Sequence, residues 1–234
     1  MTTVVILAPM QVELGPVVKR LGLRRLSGQP RRAHGGQVGP LDVVACLGGV
    51  GPGPAADATR WAIEAHAPTH VLVSGIAGGM DPGLRIGDLV TPATVTDAAT
   101  GRSFTATRVG ADVPAGRIVT TATLLSMAEL RPHLDDGVVA VDMETSAVAE
   151  VCETAGIPWT AYRGISDLVD DGLVDDTALS LVKPDGTTNA LGVAKLAVTR
   201  PRTLMRLAKL NGDTQKATSA AASAVAAALA ALGS

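Results

Sequence analysis

Along this chain, short β-branched runs alternate with small-residue amphipathic stretches, a rhythm that predicts an α/β protein. Thr2–Ala8 reads as a buried strand closed by Pro9, and Gln11–Leu21 as the helix that follows it. Arg24 to Gly36 is basic and turn-rich, a loop or hairpin approach with Arg24, Arg25, Arg31 and Arg32 in solvent. Leu41–Leu47 is a second apolar strand, followed by the turn Gly48-Gly49-Val50-Gly51-Pro52-Gly53-Pro54 and a helix from about Ala55 to Ala65. Thr69–Val73 is the next strand and runs directly into Ser74-Gly75-Ile76-Ala77-Gly78-Gly79. After a turn at Asp81-Pro82-Gly83, Ile86 to Val90 leads into another strand. Ala98 to Ala115 is polar and irregular and carries the one phenylalanine, Phe104. Ile118–Ala122 is a strand candidate, with a helix expected over Leu124–Leu134. Near the end, Pro201–Leu210 and the alanine-rich Thr214–Leu232 read as two helices. No internal repeat and no interior linker interrupts the pattern, so residues 1–234 are expected to form one domain.

The most informative stretch is VVAVDMETSAVAEVCETAGIPWTAYRGISD, residues 138–167. An apolar run, Val138–Val141, ends in Asp142-Met143-Glu144. A small-residue helix reaches Gly156, and a second strand, Trp159–Tyr162, leads to Ser166-Asp167. A short helical crossover predicts parallel strands, with both acidic tips at one edge of one sheet. In open α/β sheets that edge, beyond the carboxyl ends of the strands, is where ligands bind.

Composition narrows the picture. Hydrophobic residues make up 47% and aromatic residues only 2%, so the core must be filled by Val, Leu, Ile and Ala. A net charge of −2 gives no footing for a nucleic-acid partner, which calls for a basic face. Cys46 and Cys152 sit in an apolar strand and a helix, as free thiols do in a reducing cytoplasm. The start, MTTVVILAPMQVEL, lacks the basic region of a signal peptide, and no apolar run approaches membrane-spanning length. Asp170, Asp171, Asp175 and Asp176 read as a solvated acidic loop, since a metal would want a better-spaced oxygen cage.

The strand tips bring together Glu13, the Gly75–Gly79 backbone, Met143-Glu144 and Ser166-Asp167. Glu13 has two readings that its position leaves even: a carboxylate complementing a helix N-terminus, or a group in the crevice. The glycine turn at 48–54 fails the dinucleotide fingerprint, whose last glycine would fall on Pro54, and lacks a phosphate loop's ending. It remains a tight turn, or one that lets backbone approach something closely. The four histidines, His34, His66, His70 and His133, are scattered, so no metal or cofactor is implied. A serine nucleophile on a sharp elbow with a histidine partner is not visible either. Converging carboxylates without a metal suit acid/base work at a sugar centre, where one protonates the leaving group and another handles the nucleophile.

Four segments, ILAPMQVEL, SGIAGGMDPGLRIGDLV, VAVDMETSAVAEVC and YRGISD, resemble in order the signatures of the nucleoside phosphorylase/nucleosidase family. The similarity runs from Val4 to about Asp170, and the purine nucleosidase members of that family act on methylthioadenosine and adenosylhomocysteine. The tail KPDGTTNALGVAKLAVTRPRTLMRLAKL is similar to a hopanoid-associated branch. This resemblance implies a single-domain three-layer sandwich with a mixed, mostly parallel central sheet, and a homodimer or larger homo-oligomer. It implies release of adenine from a 5′-modified purine nucleoside. In that scheme Asp167 is the general acid at the imidazole nitrogen of the purine, and Ser166 helps place it. Glu144 grips the ribose hydroxyls, Met143 packs beneath the sugar, Glu13 orients the attacking water, and Ile76, Ala77 and Gly78 contact the substrate through the tip.

Three departures bear on the chemistry. Phosphorylase members carry a phosphate-holding arginine before the glycine-rich tip, where this chain has apolar residues near Val73. The serine often found within the tip is Ile76 here. Both changes favour water over phosphate, and the tip is expected to hold no cation unless Arg24, Arg25, Arg85 or Arg117 reaches in. The aromatic base platform falls in Thr121–Leu125, which has none, leaving Phe104 or apolar packing to substitute. Phosphorolysis on the same scaffold and a non-catalytic nucleoside-binding protein are the rival readings. The second of these has no use for a proton donor.

Overall fold

The computed structural model describes residues 2–109, 115–123, 129–130, 132–133, 136–168 and 201–234, with residues 201–211 described by backbone alone. In chain order the elements are β1 (Thr2–Ala8), α1 (Gln11–Leu21), β2 (Arg24–Arg25), β3 (Ala33–Val38), β4 (Leu41–Leu47), α2 (Pro52–His66) and β5 (His70–Gly79). Then follow β6 (Leu89–Val90), β7 (Thr94–Asp97), β8 (Ser103–Thr105), β9 (Arg117–Thr120), β10 (Val138–Asp142), α3 (Thr145–Thr154), β11 (Trp159–Leu168) and α4 (Pro201–Leu232). One mixed sheet runs β2-β3-β4-β1-β5-β10-β9-β7-β8, with β11 paired to β5 and β6. Its centre is parallel: β4, β1, β5 and β11 run in the same sense.

Both faces of that centre are buried. Val5 and Leu7 of β1 pack with Val73, Ala58, Ala62, Val148 and Trp159 on the α2/α3 side. Val4 and Ile6 pack with Leu14, Val17, Leu72, Tyr162, Val225 and Leu229 on the α1/α4 side. Alternate residues of one strand thus serve opposite layers, which is why β1 reads as a continuous apolar run. Alanine-faced helices sit close to the sheet and make up for the scarcity of aromatic side chains. At Gly164 of β11, an added Cβ would fall 2.8 Å from the Cα of Ala217 in α4 and closer still to its carbonyl. Cys46 and Cys152 are free and buried, and burial pushes both thiols up to about 12.

Several elements depart from the pattern-based expectation. β5 continues through the glycines to Gly79, and β11 through Ser166-Asp167 to Leu168, because each pairs with the other residue by residue. β10 and β11 are not parallel. β10 runs antiparallel to β5 at Gly78 and Gly79, while β11 runs parallel to it. The long β5 takes β1 beside its first half and β10 beside its end, so the α3 crossover joins strands of opposite sense. The Arg24–Gly36 segment contains the β2–β3 hairpin, and the irregular segment contains β8 paired to β7. The two expected C-terminal helices are one, Pro201–Leu232. Most of Leu124–Leu134 and all of Asp170–Asp176 lie outside the described residues.

Candidate active site

Glu13 sits in the first turn of α1 and is only 2% exposed. Its Oε2 accepts the Met10 N–H at 2.6 Å, and its Oε1 accepts the Ile76 N–H at 2.9 Å. The first bond caps the helix. The second ties the carboxylate to the glycine-rich end of β5. The two sequence readings of Glu13 are therefore compatible: one carboxylate does both. Burial is the main influence on its acidity and pushes the pKa up to about 8. Arg163 opposes that, Glu144 reinforces it, and the two N–H bonds oppose it.

Arg163, from the middle of β11, is fully buried at the centre of the acidic groups. Its Nη2 lies 2.5 Å from Asp142 Oδ2 and 3.5 Å from Glu144 Oε2. The same nitrogen donates to Thr145 Oγ1 at 2.8 Å, and Nε donates to that oxygen at 3.1 Å. Nη1 donates to the Ile76 carbonyl at 3.4 Å. Asp142 is held in turn by Thr120 Oγ1 at 2.6 Å and by the Thr145 hydroxyl and N–H. One guanidinium thus faces three carboxylates. Gly75 makes the arrangement possible: a Cβ there would lie 2.6 Å from Glu13 Oε1 and closer to Arg163 Nη1.

Glu144, 6% exposed, opens α3, and its Oε1 accepts the Gly51 N–H at 2.9 Å. Burial raises its pKa to about 7, against the pull of Arg163 and with the push of Asp142. What the glycine turn approaches is therefore the Glu144 carboxylate. Gly51 has φ 88°, a left-handed backbone that suits glycine. Farther along β11, the pairing with β5 slips by one residue between Ile165 and Asp167, setting Asp167 opposite Gly78. Such a bulge re-aims side chains at the end of a strand. The Ser166 hydroxyl donates to Asp167 Oδ1 at 2.6 Å. Ser166 is buried and Asp167 half-buried, as are Met143 and Ile76, whereas Ala77 and Gly78 are buried.

Glu13, Ile76 and Glu144 therefore meet around Arg163, while Ser166 and Asp167 lie farther out on β11 beside Ala77 and Gly78. The expectation of a tip without a cation is wrong. Arg163 stands beneath it, supplied by the strand that pairs with the tip, whereas Arg24, Arg25, Arg85 and Arg117 are exposed. Sequence reasoning missed it, although it lies in YRGISD, because an apolar run does not show that its arginine is the hub of three acids. Asp142 and Thr145 were missed as its supports, and Gly51 as the support of Glu144. Phe104 cannot serve as an exposed base platform: at 3% exposure it packs in the core against the α2/α3 layer. Among the described residues no group of three His, Cys, Asp or Glu is placed to hold a metal ion.

Buried carboxylates gathered around one arginine at the ends of a layered, largely parallel α/β sheet make a site suited to a polar ligand that acquires positive charge. The phosphorylase superfamily model matches residues 3–129 and 102–199, and the chain belongs to that family. A 5′-methylthioadenosine/S-adenosylhomocysteine nucleosidase from an Exiguobacterium species is 28% identical over 168 residues, 58% of this chain and 72% of the relative. One from Tolumonas auensis is 26% identical over 168 residues, covering 57% and 71%. The Neisseria meningitidis nucleosidase, solved with methylthio-immucillin-A, superposes with a TM-score of 0.72 at 22% identity over 98% of this chain and 99% of its own.

Proposed function

We propose that this protein hydrolyses the N-glycosidic bond of a 5′-modified adenosine and releases adenine. The observation that carries the reading is the buried grouping of Glu13 and Glu144 around Arg163, with Asp167 on the same strand as that arginine. Asp167 donates a proton to the purine's imidazole nitrogen, making the base a neutral leaving group, while Ser166 fixes its orientation. Bond breaking leaves positive charge on the sugar, which the carboxylates of Glu13 and Glu144 stabilise. Glu144 accepts hydrogen bonds from the ribose hydroxyls, Met143 packs beneath the ring, and Ile76, Ala77 and Gly78 border the base and sugar. Glu13 orients the water and takes its proton as it adds to the sugar. Relatives and fold neighbours with this activity support the assignment, among them a Helicobacter pylori nucleosidase solved with 5′-methylthioadenosine in its active site.

On this reading residues 1–234 act as one unit, working in the cytoplasm as a homodimer or larger homo-oligomer. Among the described residues no helix is long and apolar enough to cross a membrane. The test is adenine release from a panel of 5′-substituted adenosines, with Asp167→Asn alongside. The amide keeps the carboxyl's shape but carries no acidic proton, so turnover should fall by roughly 10²–10⁴-fold with the fold retained. Near-normal release by the folded variant would remove Asp167 from the chemistry, and no release from any substrate by the wild type would sink the activity.

A further inference from the structure

Both site glutamates stand at the start of a helix, but their carboxylates are engaged differently. Glu13 caps α1 with one oxygen and gives the other to the Ile76 N–H. Glu144 is the residue at the capping position of α3, yet its side chain makes no capping bond to that helix. A side chain at this position ordinarily accepts the N–H two or three residues farther on. Glu144 Oε1 instead accepts the Gly51 N–H at 2.9 Å, and Oε2 faces Arg163 Nη2 at 3.5 Å.

The first turn of α3 is satisfied from elsewhere. Thr145 N donates to Asp142 Oδ2 at 3.2 Å, and Ser146 N donates to Thr120 Oγ1 at 3.0 Å. Ala147 N and Val148 N donate to the Glu144 carbonyl at 3.1 and 3.2 Å. The Ser146 hydroxyl donates to Asp97 Oδ2 at 3.0 Å. Asp97, Thr120 and Asp142 are register partners at the ends of β7, β9 and β10. Three neighbouring strand ends thus each hold this turn by a side-chain oxygen. Thr120 is the buried middle member, and its hydroxyl proton goes to Asp142 Oδ1 at 2.6 Å. With that proton engaged, toward Ser146 the hydroxyl acts only as an acceptor.

We infer that Thr120 is a positioning residue for Glu144: by accepting the Ser146 N–H it does the work of a capping side chain and leaves the Glu144 carboxylate to the site. The functional consequence rests on the nucleoside reading, in which Glu144 holds the ribose hydroxyls. Ser146 lies two residues beyond Glu144, and its N–H is one that a side chain at the capping position reaches. Without the Thr120 hydroxyl that donor is buried and unpaired, which is costly. The acceptor that helix geometry offers it is the Glu144 carboxylate. Turning back on its own helix, that carboxylate gives up Gly51 and the sugar together.

The test is Thr120→Val, which keeps the side chain's shape without its hydroxyl, beside Thr120→Ser, which restores the hydroxyl. In a crystal structure of Thr120→Val, the Glu144 carboxylate should accept the Ser146 N–H and have left Gly51, while Thr120→Ser should match wild type. KM for 5′-methylthioadenosine should rise about tenfold or more in the valine variant, as a lost hydrogen bond to a charged group warrants, with kcat changed less. The serine variant should recover it. Calorimetric titration should show that Thr120→Val weakens binding in wild type but adds little in Glu144→Gln, the mark of two residues acting together. Ser146→Ala loosens the same turn from Asp97 and keeps the Thr120 bond, so it should lower the melting temperature without moving KM. If Thr120→Val does not fold, Thr120→Ala, which loses the same bond, reads the same outcomes. Glu144 still on Gly51 in the variant would overturn the inference. So would a loss of affinity as large in Glu144→Gln as in wild type, since Thr120 would then act through Asp142 and Arg163 alone. A carboxylate that moves as expected, in a protein whose wild type releases no adenine, would sustain the positioning role and defeat the nucleosidase reading. Adenine release by wild type with Glu144 unmoved in the variant would do the reverse.

Discussion

At the residue scale the question is how one arginine's charge is shared. In the proposed reaction Glu13 must be ionised to take a proton from water, and burial has pushed its pKa to about 8. The free enzyme's kcat/KM should therefore rise with pH through a limb near that value, and Glu13→Gln should abolish the limb along with most of the turnover. Substrate affinity should survive in that variant, because the water contact matters only as the sugar becomes cationic. The same shift governs stability. A folded-state pKa raised from 4.5 to about 8 means Glu13's contribution is complete below 4.5 and lost as pH rises through 8. Urea unfolding across that window should show wild type losing stability relative to Glu13→Gln. Asp142 tunes the setting through Arg163. Asp142→Asn removes the closest negative charge and leaves the guanidinium to Glu13 and Glu144, so the acid limb should move to lower pH. A purely structural role for Asp142 predicts lower stability with the limb unmoved.

At the scale of elements, the site depends on strands that fit against side chains. Gly75 belongs to β5, and its missing Cβ is the space in which Glu13 of α1 and Arg163 of β11 approach each other. Gly75→Ala should part them. Both groups sit at the ends of side chains, so the fold should tolerate the methyl while kcat falls more than KM rises, as steady-state kinetics and a thermal melt together would show. Unchanged kcat would mean that their spacing does not matter to the reaction. Gly164 illustrates the other constraint, since there the obstacle is α4 backbone, which cannot swing aside. Glycines in these two strands thus do different jobs, one clearing the site and one seating a helix.

For the whole molecule, charge decides the nucleophile. A phosphorylase must hold a dianion against the sugar, and an unpaired buried dianion is prohibitively costly. Arg163 is not available for that, because Asp142, Glu144 and Thr145 already occupy its Nε and Nη2. Phosphate should therefore leave the rate of adenine release unchanged, and mass spectrometry of the sugar product in phosphate buffer should show free 5′-substituted ribose. A ribose 1-phosphate product would show that Arg163 can turn from its acids to an anion.

The sequence by itself determined the layered α/β class and the central strands, and it singled out Glu13, Glu144 and Asp167 as candidate acids, with Glu13 left between two readings. Apolar periodicity and chain punctuation are local properties, and acids at strand ends stand out against an apolar background. Tertiary structure alone decided the sense of β10, because strand direction depends on which neighbour a strand finds along a long partner. It also decided the role of Arg163, which looks like any arginine ending an apolar run until α1 and the β10–α3 junction bring three carboxylates to it. The glycine turn belongs with these. Its backbone can approach any acceptor, and only the fold shows that the acceptor is Glu144.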